Sequence, residues 1–245
     1  MTQPATEPRW ALILGASSGF GAATSLELAK QGFHIAGVHL DRKATLTNVE
    51  QIVAQIKQAG RQALFFNVNA ADPEKRTDVL SQLEAAVKQT GPQGQVMVVM
   101  HSLAFGTLKP YVADDPKDAL TKDQMEMTLD VMAHSLVYWV QDLLARRLIG
   151  PGPRVFAMTS SGGARVWPNY GAVSAAKAAL ESHIRQLALE MAPYGVTANC
   201  IRAGVTDTPA LRKIPGNAQM MEYAKFRNPF HRLTTTDEVA QAIAA

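Results

Sequence analysis

A tyrosine and a lysine stand seven residues apart, Tyr170 and Lys177, at the start of a segment that is rich in small residues. Seven residues are two turns of an α-helix, so both side chains lie on one helical face. The positive charge of a lysine favours ionisation of a nearby phenol, whose unperturbed pKa is about 10. Such a pair could act as a general acid near neutral pH. The spacing alone also fits a tyrosine and a lysine on the surface. The elements around the pair must therefore show whether the two residues form a site.

A glycine-rich turn, G-A-S-S-G-F-G at residues 15–21, follows an apolar run that ends at Leu14 and opens a segment of helical period. Glycines allow a tight turn and a close approach to a pyrophosphate, and the N-terminus of a helix offers free N–H groups. The spacing meets the general fingerprint G-x-G-x-x-G only in part. Its place between a strand and a helix nevertheless favours nucleotide binding, through Gly15, Ser17, Ser18, Gly19, Phe20 and Gly21.

Short apolar runs alternate with longer segments of helical period along the whole chain. Strands are predicted at 10–14, 33–40, 63–68, 96–100, 154–159 and 197–201. Helices are predicted at 20–31, 44–59, 73–88, 122–148 and 171–191. This order implies right-handed crossovers and an α/β fold with a doubly wound parallel sheet, a Rossmann-type single domain over residues 1–245.

Composition excludes several classes of function. The 245 residues carry a net charge of +3 with scattered Lys and Arg, which disfavours a nucleic-acid binder. No run of about 18 apolar residues occurs, so no membrane-spanning helix is expected. The single cysteine, Cys200, cannot form an intramolecular disulfide, and residues 1–4 lack a signal-peptide pattern. We therefore expect a cytoplasmic protein with neither nucleic-acid nor membrane partners.

The glycine turn, the order serine, tyrosine, lysine and the helix that follows resemble the short-chain dehydrogenase/reductase family over nearly the whole chain. Most members carry Y-x-x-x-K, but four residues before Lys177 stands Val173, which cannot donate a proton. The spacing Y-x6-K instead resembles the enoyl-acyl carrier protein reductases, a divergent branch. Further agreement comes from His101-Ser102-Leu103-Ala104 after the fourth strand, Asp130 in the place of the commoner asparagine, the stretch 165–170, and Ala203-Gly204.

The resemblance implies an NAD(P)H-dependent reduction of the carbon-carbon double bond of an enoyl thioester in fatty-acid synthesis. Tyr170 is then expected to stabilise the enolate oxygen, and Lys177 to hold the cofactor ribose. The family serine falls 17 residues before the lysine, at Ser160, where many enoyl reductases have a second tyrosine. Thr159 and Ser161 remain alternatives, because one residue of loop slippage would exchange them.

The position of the tyrosine has a chemical sense. A ketone accepts hydride and proton on bonded atoms, whereas a conjugated enoyl thioester accepts hydride at the β-carbon while charge develops on the more distant carbonyl oxygen. A shift of the tyrosine by about one helical turn, roughly 5 Å, suits that change.

Two rival functions remain. One is a ketone or alcohol oxidoreductase acting on a 3-ketoacyl thioester or a steroid, which Ser160 supports. The other is a non-catalytic nucleotide-binding sensor, in which the shifted Tyr170 marks lost activity.

The residues just after the second strand indicate whether the cofactor is NADH or NADPH. Asp41 could accept hydrogen bonds from a ribose 2′-hydroxyl, while Arg42 and Lys43 could pair with a 2′-phosphate. We predict NADPH, with NADH possible. Asn67 and Val68 match the family's adenine-contacting pair. The resemblance places further cofactor contacts at Ser102, Leu103, Ala104, Val131, Gly204, Thr206 and Thr208.

The segment 206–228, called the lid below, has mixed period and is predicted to be a mobile element over an acyl-chain pocket. Its candidate lining residues are Leu211, Ile214, Met220, Met221, Tyr223 and Phe226. The resemblance also implies an acyl carrier protein as the substrate's carrier and a homotetramer. It further implies a last strand after the helix that begins near Thr236, so a longer chain is expected.

No metal site is predicted. The histidines outside the fourth strand lack metal-ligand spacing, and no cluster of carboxylates accompanies them. His101 matches a family position beside the cofactor and is interpreted as structural.

Overall fold

A single parallel sheet of six strands forms the centre of the protein, in the order β3-β2-β1-β4-β5-β6. The computed structural model describes residues 8–245; residues 1–4, with their expected lack of a signal peptide, lie outside the described residues. The strands are β1 Arg9–Leu14, β2 His34–His39, β3 Ala63–Asn67, β4 Gln95–His101, β5 Arg154–Met158 and β6 Thr197–Ile201. The order reverses between β1 and β4, as in a doubly wound sheet, and the predicted fold class is confirmed.

Eight α-helices occur among the described residues. They are α1 Gly19–Lys30, α2 Leu46–Gln58, α3 Pro73–Thr90, α4 Lys122–Leu129, α5 Ser135–Ala145, α6 Gly171–Met191, α7 Asn217–Arg227 and α8 Thr236–Ala244. One face of the sheet packs against α1, α2 and α8, and the other against α3, α5 and α6. Burial on both faces explains why the strands are continuous apolar runs. No helix among residues 8–245 is long and apolar enough to cross a membrane.

The predicted continuous helix over 122–148 is wrong. A π-helical stretch, Asp130–His134, separates α4 from α5. The apolar period continues through such a stretch, so the sequence pattern cannot reveal it, although π-bulges often mark functional sites. The helix also ends at Ala145, because Arg147 adopts a left-handed conformation with φ 55° that turns Leu148 into the core. The other predicted elements agree with the structure within about two residues.

The carboxyl ends of the strands hold the loops that carry the predicted site. The turn after β1 is fixed to β2, because Gly15 and Ala16 both donate to the Val38 carbonyl oxygen, at 2.8 and 3.1 Å. The loop after β4 is fixed to β1, since Ser102 N donates to Leu14 O at 2.8 Å. At the other end of the chain, α8 packs on α1. The expected strand after α8 concerns residues beyond Ala245 and stays a prediction.

Candidate active site

The turn at residues 15–21 has the geometry of an anion-binding loop. Gly15 has φ +93°, and a Cβ there would lie 2.5 Å from the Ser102 carbonyl oxygen. A Cβ on Gly21 would overlap the Gly15 carbonyl oxygen, so both positions require glycine. Ser18 precedes α1 in an extended conformation and its side chain makes no capping bond. The first N–H groups of α1 are therefore free to meet a phosphate, and this site fits a dinucleotide.

Tyr170 and Ser160 lie together at the mouth of the β5–α6 connection. Both side chains are half-buried, and the tyrosine ring packs so close to Gly162 that a Cβ there would lie 2.5 Å from Cε1. Burial raises the pKa of Tyr170, and a hydrogen bond from Ser160 acts against that increase. The alternative Thr159 instead donates to Glu181 Oε1 at 2.7 Å. Ser161 is exposed, so Ser160 is the hydroxyl that accompanies the tyrosine.

Lys177 lies on α6, two turns after the tyrosine, and only 6% of it is exposed. Its ammonium group donates to the Met158 carbonyl oxygen at 2.7 Å, at the end of β5. Burial lowers the pKa of Lys177 to about 8, while the nearby Cys200 acts in the opposite direction. The expected lowering of the phenol pKa by Lys177 is wrong for this structure. Burial dominates at Tyr170, and the lysine points to the Met158 carbonyl.

Val173 occupies the place where most family members carry the tyrosine. It is buried in an apolar cluster with Val131, Met132 and Ala176. The loop after β4 closes over it, since a Cβ at Gly106 would lie 2.9 Å from Val173 Cγ2. This position is therefore sealed and offers neither a proton donor nor space for one.

His101, at the end of β4, is fully buried beside the predicted site. Ser135 Oγ donates to Val131 O at 2.9 Å, so the contact of 3.0 Å between His101 Nε2 and Ser135 Oγ has the imidazole as donor. Its Nδ1 has no hydrogen-bond partner among the described residues. Burial, together with the charge of Lys177, lowers the pKa of His101 to about 3. The ring is therefore neutral and carries an unused acceptor.

Asp41 is already engaged by its neighbours. Its carboxylate accepts from Thr45 Oγ1 at 2.6 Å and lies 2.9 Å from His39 Nδ1. Its backbone N–H and carbonyl pair with the side-chain amide of Asn67 at 2.8 and 3.0 Å. Burial acts to raise the pKa of Asp41, but the hydrogen bonds outweigh it and the pKa is lowered. Sequence reasoning named Asp41 and Asn67 but could not show that they bind each other.

Arg42 and the adjacent Lys43 are exposed, and neither forms an ion pair within residues 8–245. Val68 is half-buried and packs against the core. These are the positions that the sequence assigned to the adenosine end of a cofactor.

The remaining predicted cofactor residues lie around the same crevice in different settings. Ser102 contacts the glycine turn at Gly15, and Thr208 lies next to it, 3.5 Å from a Cβ placed on Gly19. Thr206 and Thr208 are buried, with Thr206 Oγ1 donating to Gly204 O at 3.1 Å. Leu103 and Ala104 lie in the loop after β4, and Val131 lies within the π-helical stretch.

The lid contains a short 3-10 turn and the helix α7, none of whose residues is fully buried. Four of its predicted lining residues are half-buried: Leu211, Ile214, Met220 and Met221. Tyr223 and Phe226 are 58% and 78% exposed, so their expected place in the lining of a pocket is wrong for this structure. For Phe226 the reason is helical geometry, because it projects from the side of α7 opposite the two methionines. The same geometry does not explain the exposure of Tyr223.

The glycine turn before α1, the buried lysine and the doubly wound sheet define a class of protein. The family model described as Enoyl-(Acyl carrier protein) reductase matches residues 15–245. The chain therefore belongs to the short-chain dehydrogenase/reductase family, and as a member it is an oxidoreductase that uses NAD(P)H.

Relatives in this family act on varied substrates. The chain is 28% identical to a 1-cyclohexenylcarbonyl-CoA reductase from Streptomyces collinus, covering 99% of this chain and 81% of the relative. It is 25% identical to a cyclohexanol dehydrogenase from Rhodococcus sp., covering 95% and 87%. An enoyl-acyl-carrier-protein reductase (NADH) from Escherichia coli is 28% identical over 59% of this chain and 54% of that protein.

A solved structure of a short-chain dehydrogenase from Burkholderia cenocepacia in complex with NADP resembles the whole fold. It has a TM-score of 0.76 and 26% identity, and the match covers 97% of this chain and 89% of the other.

Proposed function

We propose that this protein reduces the carbon-carbon double bond of an enoyl thioester with NADPH, the acyl group being carried on acyl carrier protein in cytoplasmic fatty-acid synthesis. The observation that carries the proposal is the position of Tyr170. It stands beside Ser160, just before α6 and two turns from Lys177, while the commoner tyrosine position is sealed by Val173.

Each of the three site residues has a role that follows from its position. Tyr170 donates a hydrogen bond to the thioester carbonyl oxygen and stabilises the negative charge that develops there. Ser160 forms a hydrogen bond with the phenol, and burial outweighs the effect of that bond on the pKa, so the phenol stays protonated. Lys177 would hold the ribose hydroxyls of the cofactor with the N–H groups that the Met158 carbonyl does not use. When bound, the nicotinamide would supply a hydride for the β-carbon, and solvent water would supply the proton for the α-carbon, so that one hydride and one proton complete the reduction.

The high pKa of the phenol suits this role. A tyrosine that stays protonated at neutral pH is a hydrogen-bond donor to an oxyanion throughout the reaction. Burial of Lys177 lowers its pKa to about 8, so the ammonium form still dominates at neutral pH. The relative from Streptomyces collinus supports the reaction class, since its name describes reduction of a cyclohexenylcarbonyl thioester of CoA.

The preference for NADPH is supported at the adenosine end. Both oxygens of the Asp41 carboxylate already have a partner, Thr45 Oγ1 for one and His39 Nδ1 for the other, so Asp41 is not held free for a ribose 2′-hydroxyl. Exposed Arg42 and Lys43 are free to pair with a 2′-phosphate. The structural relative from Burkholderia cenocepacia holds NADP.

A ketone or alcohol oxidoreductase is the second candidate. Ser160 stands where a second tyrosine is common in enoyl reductases, and the Rhodococcus relative is a cyclohexanol dehydrogenase. A non-catalytic sensor is less favoured, because Ser160 and Tyr170 remain in contact and Lys177 remains buried.

A paired assay tests the proposal. Purified protein is supplied with crotonyl or acetoacetyl thioester, on CoA and on acyl carrier protein, and the oxidation of NADPH and of NADH is followed. We expect turnover of the crotonyl thioester with NADPH, and its loss in Tyr170→Phe with cofactor binding intact. Turnover of acetoacetyl thioester alone would establish the ketone reductase. Cofactor binding without turnover of either would establish the sensor.

A homotetramer is also proposed, with the outer faces of α5 and α6 as the interface. His134 and His183 meet there, with 2.9 Å between Nδ1 and Nε2, and Tyr138 and Leu189 are partly or largely exposed. Light scattering of the purified protein measures the assembly.

A further inference from the structure

Apart from bonds across its two ends, the lid is joined to the rest of the described chain by one hydrogen bond. Trp167 Nε1 donates to the Pro215 carbonyl oxygen at 2.9 Å, across 48 residues of sequence. The other hydrogen bonds of the lid found within residues 8–245 are local. The side chain of Arg212 binds Asp207, at 2.7 and 2.9 Å, and Asn217 binds the carbonyl groups of Arg212 and Ile214. The indole N–H is therefore the group that ties the lid by a hydrogen bond to a distant part of the described chain.

The ring of Trp167 also packs against the start of α7. Gly216 precedes that helix in a left-handed conformation, φ +79°, and a Cβ there would lie 3.1 Å from Cζ2 of the indole. Glycine thus lets the backbone approach the ring and turn into the helix at the same point. Packing and the hydrogen bond act together on Pro215 and Gly216, the two consecutive residues that precede α7.

The same tryptophan is part of the turn that presents the catalytic tyrosine. Tyr170 N donates to the Trp167 carbonyl oxygen at 3.2 Å, and Asn169 between them has φ 61°. The backbone of Trp167 therefore shapes the tyrosine turn, while its side chain holds the lid. These two functions use different atoms, so they can be separated by substitution.

We infer that Trp167 is a positioning residue that holds the lid beside Tyr170 and so determines how tightly long acyl chains bind. The inference rests on the proposed acyl-thioester function. With the lid docked, half-buried Met220 and Met221 provide adaptable apolar contacts for a chain. A crotonyl group is too short to depend on those contacts, whereas a dodecenoyl group needs them.

The variant Trp167→Phe keeps the backbone and an aromatic ring but removes the N–H donor. Loss of one neutral hydrogen bond shifts the docking of the lid by about three- to tenfold. Trypsin measures this directly, because Arg212, Lys213, Lys225 and Arg227 lie within the lid. We expect cleavage in the lid to become about fivefold faster. The neighbouring variant Val166→Ala is the matched control, since Val166 is 98% exposed, and it should be cut at the wild-type rate.

Fluorescence gives a second reading on the unmodified protein. The other two tryptophans, Trp10 and Trp139, have no exposed surface, whereas Trp167 is 36% exposed. Acrylamide therefore quenches mainly Trp167, and a bound dodecenoyl thioester should protect it. Gly216→Ala is the second variant, because its Cβ would displace the indole, and it should increase both quenching and tryptic cleavage even if Trp167→Phe does not fold.

Steady-state kinetics distinguish a loss of lid positioning from a general loss of activity. In Trp167→Phe we expect KM for dodecenoyl thioester to rise about fivefold more than KM for crotonyl thioester, with kcat changed less than about twofold. Tryptic rates equal to wild type in both variants would overturn the docking. An equal fall of kcat for both thioesters would overturn the role in chain selection.

The role of Trp167 can be tested even if the protein is not an enoyl thioester reductase. If the wild-type protein turns over only 3-ketoacyl thioesters, the same chain-length comparison is made with them. If it turns over neither, the tryptic and quenching measurements still decide whether Trp167 holds the lid, and unchanged values overturn it.

Discussion

Acidification should destabilise the protein largely through His101. The imidazole is neutral in the folded protein, because burial lowers its pKa to about 3, but it protonates in the unfolded chain below about pH 6.5. The unfolded state then binds more protons, so the free energy of unfolding falls as the pH falls. At about pH 5, roughly 1.5 units below the unfolded pKa, the loss from this group is about 2 kcal/mol, at about 1.4 kcal/mol per unit. At pH 7 the loss is close to zero.

The assay is urea unfolding at constant protein concentration, at pH 7 and pH 5, for the wild type and for His101→Gln. The amide of glutamine reaches the position of Nε2 and can still donate to Ser135 Oγ, but it does not titrate. Glutamine costs stability at both pH values because it fits the buried site less well. The difference between wild type and variant should therefore shrink by about 2 kcal/mol from pH 7 to pH 5.

Other histidines titrate in the same direction, since burial lowers the pKa of His34, His39 and His183. These groups remain in both proteins, so they cancel in the comparison. Lys177, whose charge opposes the imidazolium, stays protonated across this range. An unchanged difference between the two proteins from pH 7 to pH 5 would refute the reasoning, because it would mean that His101 accepts a proton within the fold.

Three variants, one of them a double substitution, test the site further. In Arg42→Ala, KM for NADPH should rise about tenfold while KM for NADH stays constant, because a charge-assisted contact to the 2′-phosphate is lost; equal effects on both would contradict this assignment. In Gly21→Ala, the new Cβ overlaps the Gly15 carbonyl oxygen, so calorimetry should show cofactor Kd raised at least about tenfold. The pair Tyr170→Phe with Val173→Tyr should stay as inactive towards crotonyl thioester as Tyr170→Phe alone, about a hundredfold below wild type, because position 173 is sealed. Recovered turnover in the pair would show that the commoner tyrosine position is open.

Buried strands were the easiest elements to predict. Runs such as residues 10–14 and 96–100 are apolar at every position, which only a sheet covered on both faces requires. Gly32 and Gly60, both with positive φ, follow the ends of α1 and α2, and glycine is common at that position after a helix. The break between α4 and α5 could not be predicted, since the apolar residues keep a helical period through the π-helical stretch. The left-handed conformation of Arg147 could not be predicted either, because arginine rarely adopts it.

The residues of the candidate site were predicted by type and spacing, but their partners were not. Nothing in the sequence shows that Thr45 and His39 engage Asp41, or that Lys177 turns to a backbone carbonyl. The contacts of Asp41 depend on the conformation of the loop after β2, and the contact of Lys177 depends on how α6 packs against β5. The bond from Trp167 to residue 215 is of the same kind, because it joins two loops whose approach is set by the whole sheet. Spacing identifies residues on one element, whereas tertiary contacts decide which of them are already engaged.

The shifted tyrosine is built into the β5–α6 connection. Tyr170 lies just before the first turn of α6, and its ring packs against Gly162 of the connection and against the apolar cluster that contains Val173. Space for that ring exists only because residue 162 is glycine, since a Cβ there would lie 2.5 Å from Cε1. The Ser160 hydroxyl accepts from Gly162 N at 3.0 Å, which fixes the same turn beneath the ring. A tyrosine retained by chance after loss of activity would need neither feature. The combination of Gly162, Ser160 and a sealed Val173 therefore favours an enzyme that places its phenol one turn earlier over a sensor that has lost its tyrosine.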